Sequence, residues 1–375
     1  MRRYMGSPKL PYVDEGYNHG QLGSQQIITV PPYSSPAKMR DLEERGLIVL
    51  GVHVVIHLVP LTFIAYLLGS QSLSTAYVLG YGALATIISL LAEWLLGPSL
   101  IYYLASPRWI AEGEDPIIWA LVEGEARKLD VRVPKVGVID HMAPNALVYS
   151  SPTGRPMLLF TRGLLVELTH GEVRCVAVHL MCRSRGWVPS VLTTVSGFLT
   201  VFNLMSRGYM RRRAEGQSPG LLNVMLAGWG HLFMNLVYPF AAPLSRQLTV
   251  QGDEAALAQT GDPSSYLRAL MKVSAGLASR ELDLVQVFLG GHSFVDPTAA
   301  NVDTSAVRNI AGMYGINLGV LLGYEFPTDQ GNRPQVPDLF KRLSLQPRLS
   351  ERLSSVIEMG RTVETPIKLG LAWIE

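Results

Sequence analysis

The 375-residue chain has 48% hydrophobic residues, only 17% charged residues and a net charge of +2. Charge falls well below the ~25% of an ordinary soluble domain, and a balance this close to neutral excludes bulk nucleic-acid binding as a function. The two cysteines, Cys175 and Cys182, sit seven residues apart on one expected helix. That spacing is roughly 10 Å along the axis, too long for a disulfide and compatible with a reducing compartment.

Residues 1–45 are rich in Pro, Gly, Ser, Gln and Tyr. They read as a disordered cytoplasmic tail or as an extended arm that docks on a partner subunit. No apolar stretch follows the early arginines, so a secretory signal peptide is not expected. Residues 46–105 read as a transmembrane hairpin. Gly46–Gly69 holds no Asp, Glu, Lys or Arg and is long enough to cross ~30 Å of hydrocarbon, and a second apolar run extends from Ser72 to Leu96. Lys38, Arg40 and Arg45 before the pair and Arg108 after it place both ends in the cytoplasm. His53 and His57 lie four apart in the first run, and Glu93 lies in the second. Ionisable groups at this depth are candidates for function, either as metal or haem ligands or as a polar lock in which His53 meets Glu93. The lock is the favoured reading.

From 106 to 187 the chain turns amphipathic. Residues 116–129 read as a helix, and Val131–Asp140, Asn145–Tyr149 and Met157–Thr161 read as strands of a small antiparallel sheet. A helix containing His179 follows. Residues 188–244 hold two more apolar runs, Val188–Met205 and Leu221–Leu244, around Arg207 and Arg211–Arg213. Simple alternation would put these arginines outside, against the positive-inside tendency, so this second hydrophobic hairpin is expected to be membrane-embedded at undetermined depth. Residues 245–375 read as mainly helical. No phosphate-cradling loop, nucleophile elbow or paired-cysteine knuckle occurs.

The stretch VAVHLMCRSRG at 176–186 carries the strongest signal. With Pro144-Asn145-Ala146, Thr161-Arg162-Gly163-Leu164-Leu165, Glu172, Ser245–Asp253, Thr260-Gly261-Asp262-Pro263 and Gln346–Leu353, it resembles in order the motifs of the HtpX-like membrane zinc metallopeptidases over roughly residues 45–355. The resemblance implies an α+β membrane protein, mainly helical, with a transmembrane hairpin or hairpins and a zincin-like domain. In that family a His-Glu-x-x-His helix grips zinc with two histidines one turn apart, and its glutamate takes a proton from zinc-bound water. Here His179 matches the first histidine, while Leu180 stands at the general base and Arg183 at the second histidine. In the same register the zinc-binding glutamate has become Thr249, the aspartate that follows is Asp253, and the last segment has Gln346 in place of its histidine.

These substitutions lead to an expected catalytically inactive member, a scaffold or accessory subunit of a membrane complex with protein partners and no cofactor. Arg183 is expected to pair with Asp253 beside Thr249, and Asn145 and Ala146 are expected to line a retained groove able to hold a partner peptide by strand addition. The alternatives are an active membrane zinc metalloendopeptidase of protein quality control, with His179 and Cys182 among rearranged ligands, and a haem or metal carrier through His53 and His57.

Overall fold

The computed structural model describes residues 36–69, 73–111, 113–197, 216, 220–280, 289–297, 300, 304–314, 316–322, 345–362, 367–369 and 372–374. Most of the N-terminal arm (1–35) and the Arg207 to Arg213 stretch lie outside the described residues.

Helix α1, Pro36–Gly69, begins ten residues before the apolar run. The last part of the expected arm is therefore helix. At 1.5 Å per residue α1 is about 50 Å long, which leaves its polar first turns beyond a ~30 Å hydrocarbon layer. Those turns lie along a later helix, where Lys38 meets Glu254 at 2.7 Å and Asp41 accepts from Gln247 at 2.6 Å. Helix α2, Thr75–Ala105, returns beside α1. Gly82 permits the close approach, since a Cβ there would sit 2.7 Å from the Thr62 Cα. Most of the outward surface of the pair is Leu, Ile, Val, Phe and Tyr, including Val59, Phe63, Ile87 and Leu96, each more than half exposed. A soluble protein would not leave such a stripe in water; a bilayer covers it. Among the described residues these are the two helices long and apolar enough to span.

Strand β1 (Arg108–Trp109) and helix α3 (Pro116–Lys128) follow, the latter capped by the Asp115 carboxylate on the Ile118 amide. Strands β2 (Lys135–Ile139), β3 (Ala146–Ser150) and β4 (Pro156–Thr161) complete a sheet of order β1-β2-β4-β3. β2 and β4 run parallel and the other pairs antiparallel, so the sheet is mixed rather than antiparallel as expected. The period of two sorts its side chains. Ala146, Val148, Leu158 and Phe160 enter the main core, while Leu147, Tyr149 and Leu159 meet Ile101 and Ala105 at the foot of α2. Both faces are covered, which is why these strands read as continuous apolar runs.

Helix α4 (Arg162–Glu167) leads into α5, His170–Arg183. Thr169 and Glu172 form a reciprocal capping box at its start, and the Glu172 carboxylate also binds Arg268 and Lys272. A helix α6 is described over 188–197. Helix α7, Leu221–Thr260, runs unbroken through the expected boundary at 244. Val237, Ala241, Leu244 and Leu248 of α7 share a core with Val49 and Ile56 of α1 and Val188, Leu192 and Val195 of α6. One continuous helix therefore couples the hairpin to the site below. Helix α8 (Pro263–Ala278) begins after the Gly261 cap with Asp262 as its N-cap. A single 3-10 turn (Gly290–His292), α9 (Thr304–Met313), α10 (Leu318–Leu322), α11 (Leu349–Arg361) and a β5–β6 hairpin (Ile367–Leu369, Ala372–Ile374) complete the described chain.

Candidate functional site: a buried arginine-filled centre

Four elements converge on His179. It sits in the last two turns of α5, with no exposure to solvent. Gly252 on α7 lets the two helices touch, because a Cβ at that position would lie 2.8 Å from the His179 ring. One residue on, the Asp253 carboxylate accepts from His179 Nδ1 at 2.9 Å. Tyr266 of α8 donates to the same carboxylate oxygen and lies 3.0 Å from His179 Nδ1.

Arg352 of α11 closes the cluster. Its Nη2 and Nε donate to the two Asp253 oxygens at 2.8 Å each, a bidentate fork, and its Nη2 lies 3.5 Å from His179 Nε2. Phe294 packs edge-on against the imidazole at 5.1 Å between centroids and lies beneath the guanidinium at 4.9 Å. The electrostatics follow from burial and this pairing. Burial, reinforced by the nearby Arg352, pushes the His179 pKa down to about 4 and keeps the ring neutral. Burial alone would raise Asp253, yet Arg352 and His179 hold its carboxyl well below the usual range. Burial also opposes the charge of Arg352, but Asp253 and Tyr266 hold its pKa above normal. The result is a fixed carboxylate–guanidinium pair beside a neutral imidazole.

Arg183 occupies the next turn of α5 and is fully enclosed. The expected Arg183–Asp253 pair is not made. Arg183 donates instead to Ser293 O at 2.8 Å, to Gly291 O, and to Ser245 Oγ at 3.4 Å, and Arg352 has taken Asp253. Thr249, also expected there, spends its hydroxyl on Ser245 O in its own helix at 3.0 Å. Arg183 remains a cation at neutral pH, although burial and then the charge of Arg352 lower its pKa to about 10.

The segment receiving these bonds lies along the edge of the sheet. Ser293 bridges Leu147 of β3, and Phe294 N donates to Ala146 O at 2.6 Å. Asn145 uses its side chain twice, donating to Val295 O at 2.8 Å and accepting from Val295 N at 3.3 Å. Gln346 donates to Gly290 O and Ser293 O and accepts from Asp296 N, while Arg352 donates to Phe294 O. Residues 293–295 of the chain itself thus lie against Asn145 and Ala146, the pair expected to line a groove able to hold a partner peptide. A cavity of about 140 Å³ remains there, lined by Asn145 and Ala146 themselves with Leu104, Ile139, Leu147 and Ser293 among others.

The donors that a gluzincin zinc requires do not fit here. Of the aligned positions, Leu180 offers no lone pair, Arg183 is a cation, Thr249 is bonded within its own helix, and both nitrogens of His179 face groups already in place. Burial pushes the Cys175 thiol up to about 12, and both cysteines are buried thiols outside any disulfide.

In the hairpin, the expected meeting of His53 with Glu93 is present at 2.7 Å, and His57 joins it at 2.6 Å. Both imidazoles approach one carboxylate from a single helix face, with ring centroids 4.7 Å apart. Two histidines on one face of a single helix are not set on opposite sides of a common plane, as a bis-histidine haem requires. Sequence reasoning had missed Tyr266, Gly252, Phe294 and the bonding role of Gln346. Two left a trace: Gly252, as the smallest possible residue one position before Asp253, and Gln346, in the place of a family histidine.

A lipid-facing hairpin joined to a helix–sheet–helix domain, with its histidine helix packed on an aspartate helix, defines a membrane peptidase scaffold. Residues 114–358 match peptidase family M48, and the chain belongs to that family, within its HtpX-like membrane metallopeptidase branch. The protease HtpX homologue of Aeropyrum pernix is 24% identical over 317 residues, covering 82% of this chain and 93% of the relative. The homologue of Moorella thermoacetica is 26% identical, covering 54% and 70%. That of Thermoplasma acidophilum is 28% identical, covering 51% and 68%. No solved structure matches the chain.

Proposed function

We propose that this chain is a catalytically inactive HtpX-like membrane protein, acting as a scaffold or accessory subunit of a membrane complex. One observation carries the reading: two buried guanidiniums stand about His179, with Arg352 bonded to Asp253 and Arg183 bonded to the carbonyls of Gly291 and Ser293. A dication entering there would meet two fixed positive charges and a single histidine, in surroundings that screen charge poorly. A missing general base alone costs about 10²–10⁴ in rate, and here the ligands are missing too. Residues 293–295 support the same reading, because a substrate strand bonding to Ala146 O in the expected groove would have to displace Phe294. Partner subunits are therefore taken to bind outside that groove. Lys38, Arg40, Arg45 and Arg108 support a cytoplasmic N-terminus and main domain.

The relatives named as proteases suggest the competing reading, an active zinc endopeptidase with rearranged ligands. Purified full-length protein tested on casein, with and without chelator, decides between the two. No chelator-sensitive cleavage is expected; cleavage that disappears in His179→Gln would overturn the reading. Cross-linking in native membranes would identify the partner chains.

A further inference from the structure

We propose that His53, His57 and Glu93 form a binding site for a first-row divalent metal ion inside the membrane hairpin, independent of the peptidase-like centre. Their ligand atoms all lie within 4.8 Å of one another, and all three side chains are at least nine-tenths buried. The spacing of four puts both imidazoles on one face of α1, and α2 supplies the carboxylate opposite.

The decisive detail is the tautomer. His57 Nδ1 lies 2.9 Å from the carbonyl oxygen of His53, an acceptor, so Nδ1 carries a proton and donates it. A neutral His57 then presents a bare lone pair at Nε2. That lone pair faces an oxygen of the Glu93 carboxylate at 2.6 Å, which is acceptor against acceptor. Something positive must sit between them, either a proton or a metal ion. Anchoring Nδ1 on a backbone carbonyl while aiming Nε2 at a metal is the usual outer arrangement of a metal-binding histidine.

The donor set is two imidazoles and one carboxylate, borderline ligands that suit Zn²⁺, Co²⁺ or Fe²⁺, with no thiolate or thioether to favour Cu⁺. A dication would neutralise Glu93, which is costly to leave charged at this depth. Bonds of about 2.0–2.1 Å in tetrahedral geometry need donors about 3.3 Å apart, so the two histidine–carboxylate contacts must open by about 0.6 Å while the widest pair of ligand atoms, within 4.8 Å, draws in. That is a small rotamer adjustment for three side chains on two helices. The fourth position is left to water or an exogenous donor.

The test is a cobalt(II) titration of the tag-free full-length chain in detergent micelles, followed by visible absorption. The wild type and His179→Gln should both take up equimolar cobalt and develop the intense visible bands of a low-coordinate site. Glu93→Gln should weaken binding by more than the roughly 10–100-fold that outer partners of a metal site are worth. Should Glu93→Gln fail to fold, pulsed EPR of the copper(II)-loaded wild type decides the matter, with modulation from two imidazoles supporting the site and one or none overturning it. Absence of cobalt bands in the wild type would leave a proton as the bridge and overturn this inference alone. Cobalt that is lost in His179→Gln and kept in Glu93→Gln would overturn both this inference and the reading of the inactive centre.

Discussion

The two histidine clusters of this protein use similar groups to opposite ends. Around His179 the cations are supplied by the chain itself: Arg352 grips Asp253 and Arg183 grips the carbonyls of 291 and 293. Around Glu93, among the described residues, the two histidines approach the carboxylate and no arginine or lysine bonds to it. The difference teaches that a histidine beside a carboxylate says little until the positive charge is located. Where a guanidinium is built in, the carboxylate already has its cation. Where it is not, the site is open to a proton or a metal.

The largest effect should come from breaking the closed cluster. Arg352→Met leaves the Asp253 carboxylate buried with only His179 and Tyr266 as partners, and should cost about 3–5 kcal/mol in chemical or thermal unfolding. A cost below 1 kcal/mol would mean that Arg352 is not the cation of the site.

Acid should separate the clusters next. Above pH 6.5 the His179 ring is neutral whether the chain is folded or not. As pH falls from 6.5 towards about 4, the unfolded chain takes up a proton that the folded chain refuses. Stability therefore drops by about 1.4 kcal/mol per pH unit, about 3 kcal/mol in all. Below that window Asp253, whose folded pKa is depressed, continues the loss in the same direction. In His179→Gln, unfolding should show a correspondingly flatter dependence between pH 6.5 and 4.

Metal should act only on the open cluster. Cobalt at a hundred times its dissociation constant should stabilise the wild type by about 2.7 kcal/mol, seen as a raised unfolding temperature, and should leave Glu93→Gln unmoved. Gly252→Ala, which forces a methyl group to 2.8 Å from His179, should cost about 1–3 kcal/mol. At the small end, Lys38→Ala removes an ion pair whose lysine is half exposed, and should change stability by less than about 1 kcal/mol.

Much of this was readable from residues alone, and the failures have a common cause. The hairpin follows from uninterrupted apolar length, and the His53–Glu93 meeting follows from equal depth in two antiparallel helices. The proposed loss of the zinc motif rests on the resemblance, which sets Leu180 and Arg183 beside and one turn beyond His179 on the same helix. The partner of Asp253 did not follow, because Arg352 lies 99 residues away and two arginines compete for one carboxylate. Position along α5 made Arg183 the obvious choice, yet its guanidinium reaches past Asp253 to backbone carbonyls. The placement of residues 293–295 against Asn145 and Ala146 was hidden for the same reason. Nothing in the local pattern of residues 290–296 shows that Arg183, Gln346, Arg352 and Asn145 all converge on them. The parallel pairing of β2 with β4 was likewise invisible, since strands buried on both faces give no alternation from which to read a partner.

The most direct test of the closed centre is zinc content in Glu93→Gln, where the hairpin donors have been disarmed. The full-length variant is loaded with excess zinc, dialysed, and its metal measured against protein. The expected result is no equimolar zinc, and none that changes on adding His179→Gln. Equimolar zinc that disappears with His179→Gln would show that a metal enters where the two arginines are placed, and would contradict the assignment of an inactive, arginine-filled centre.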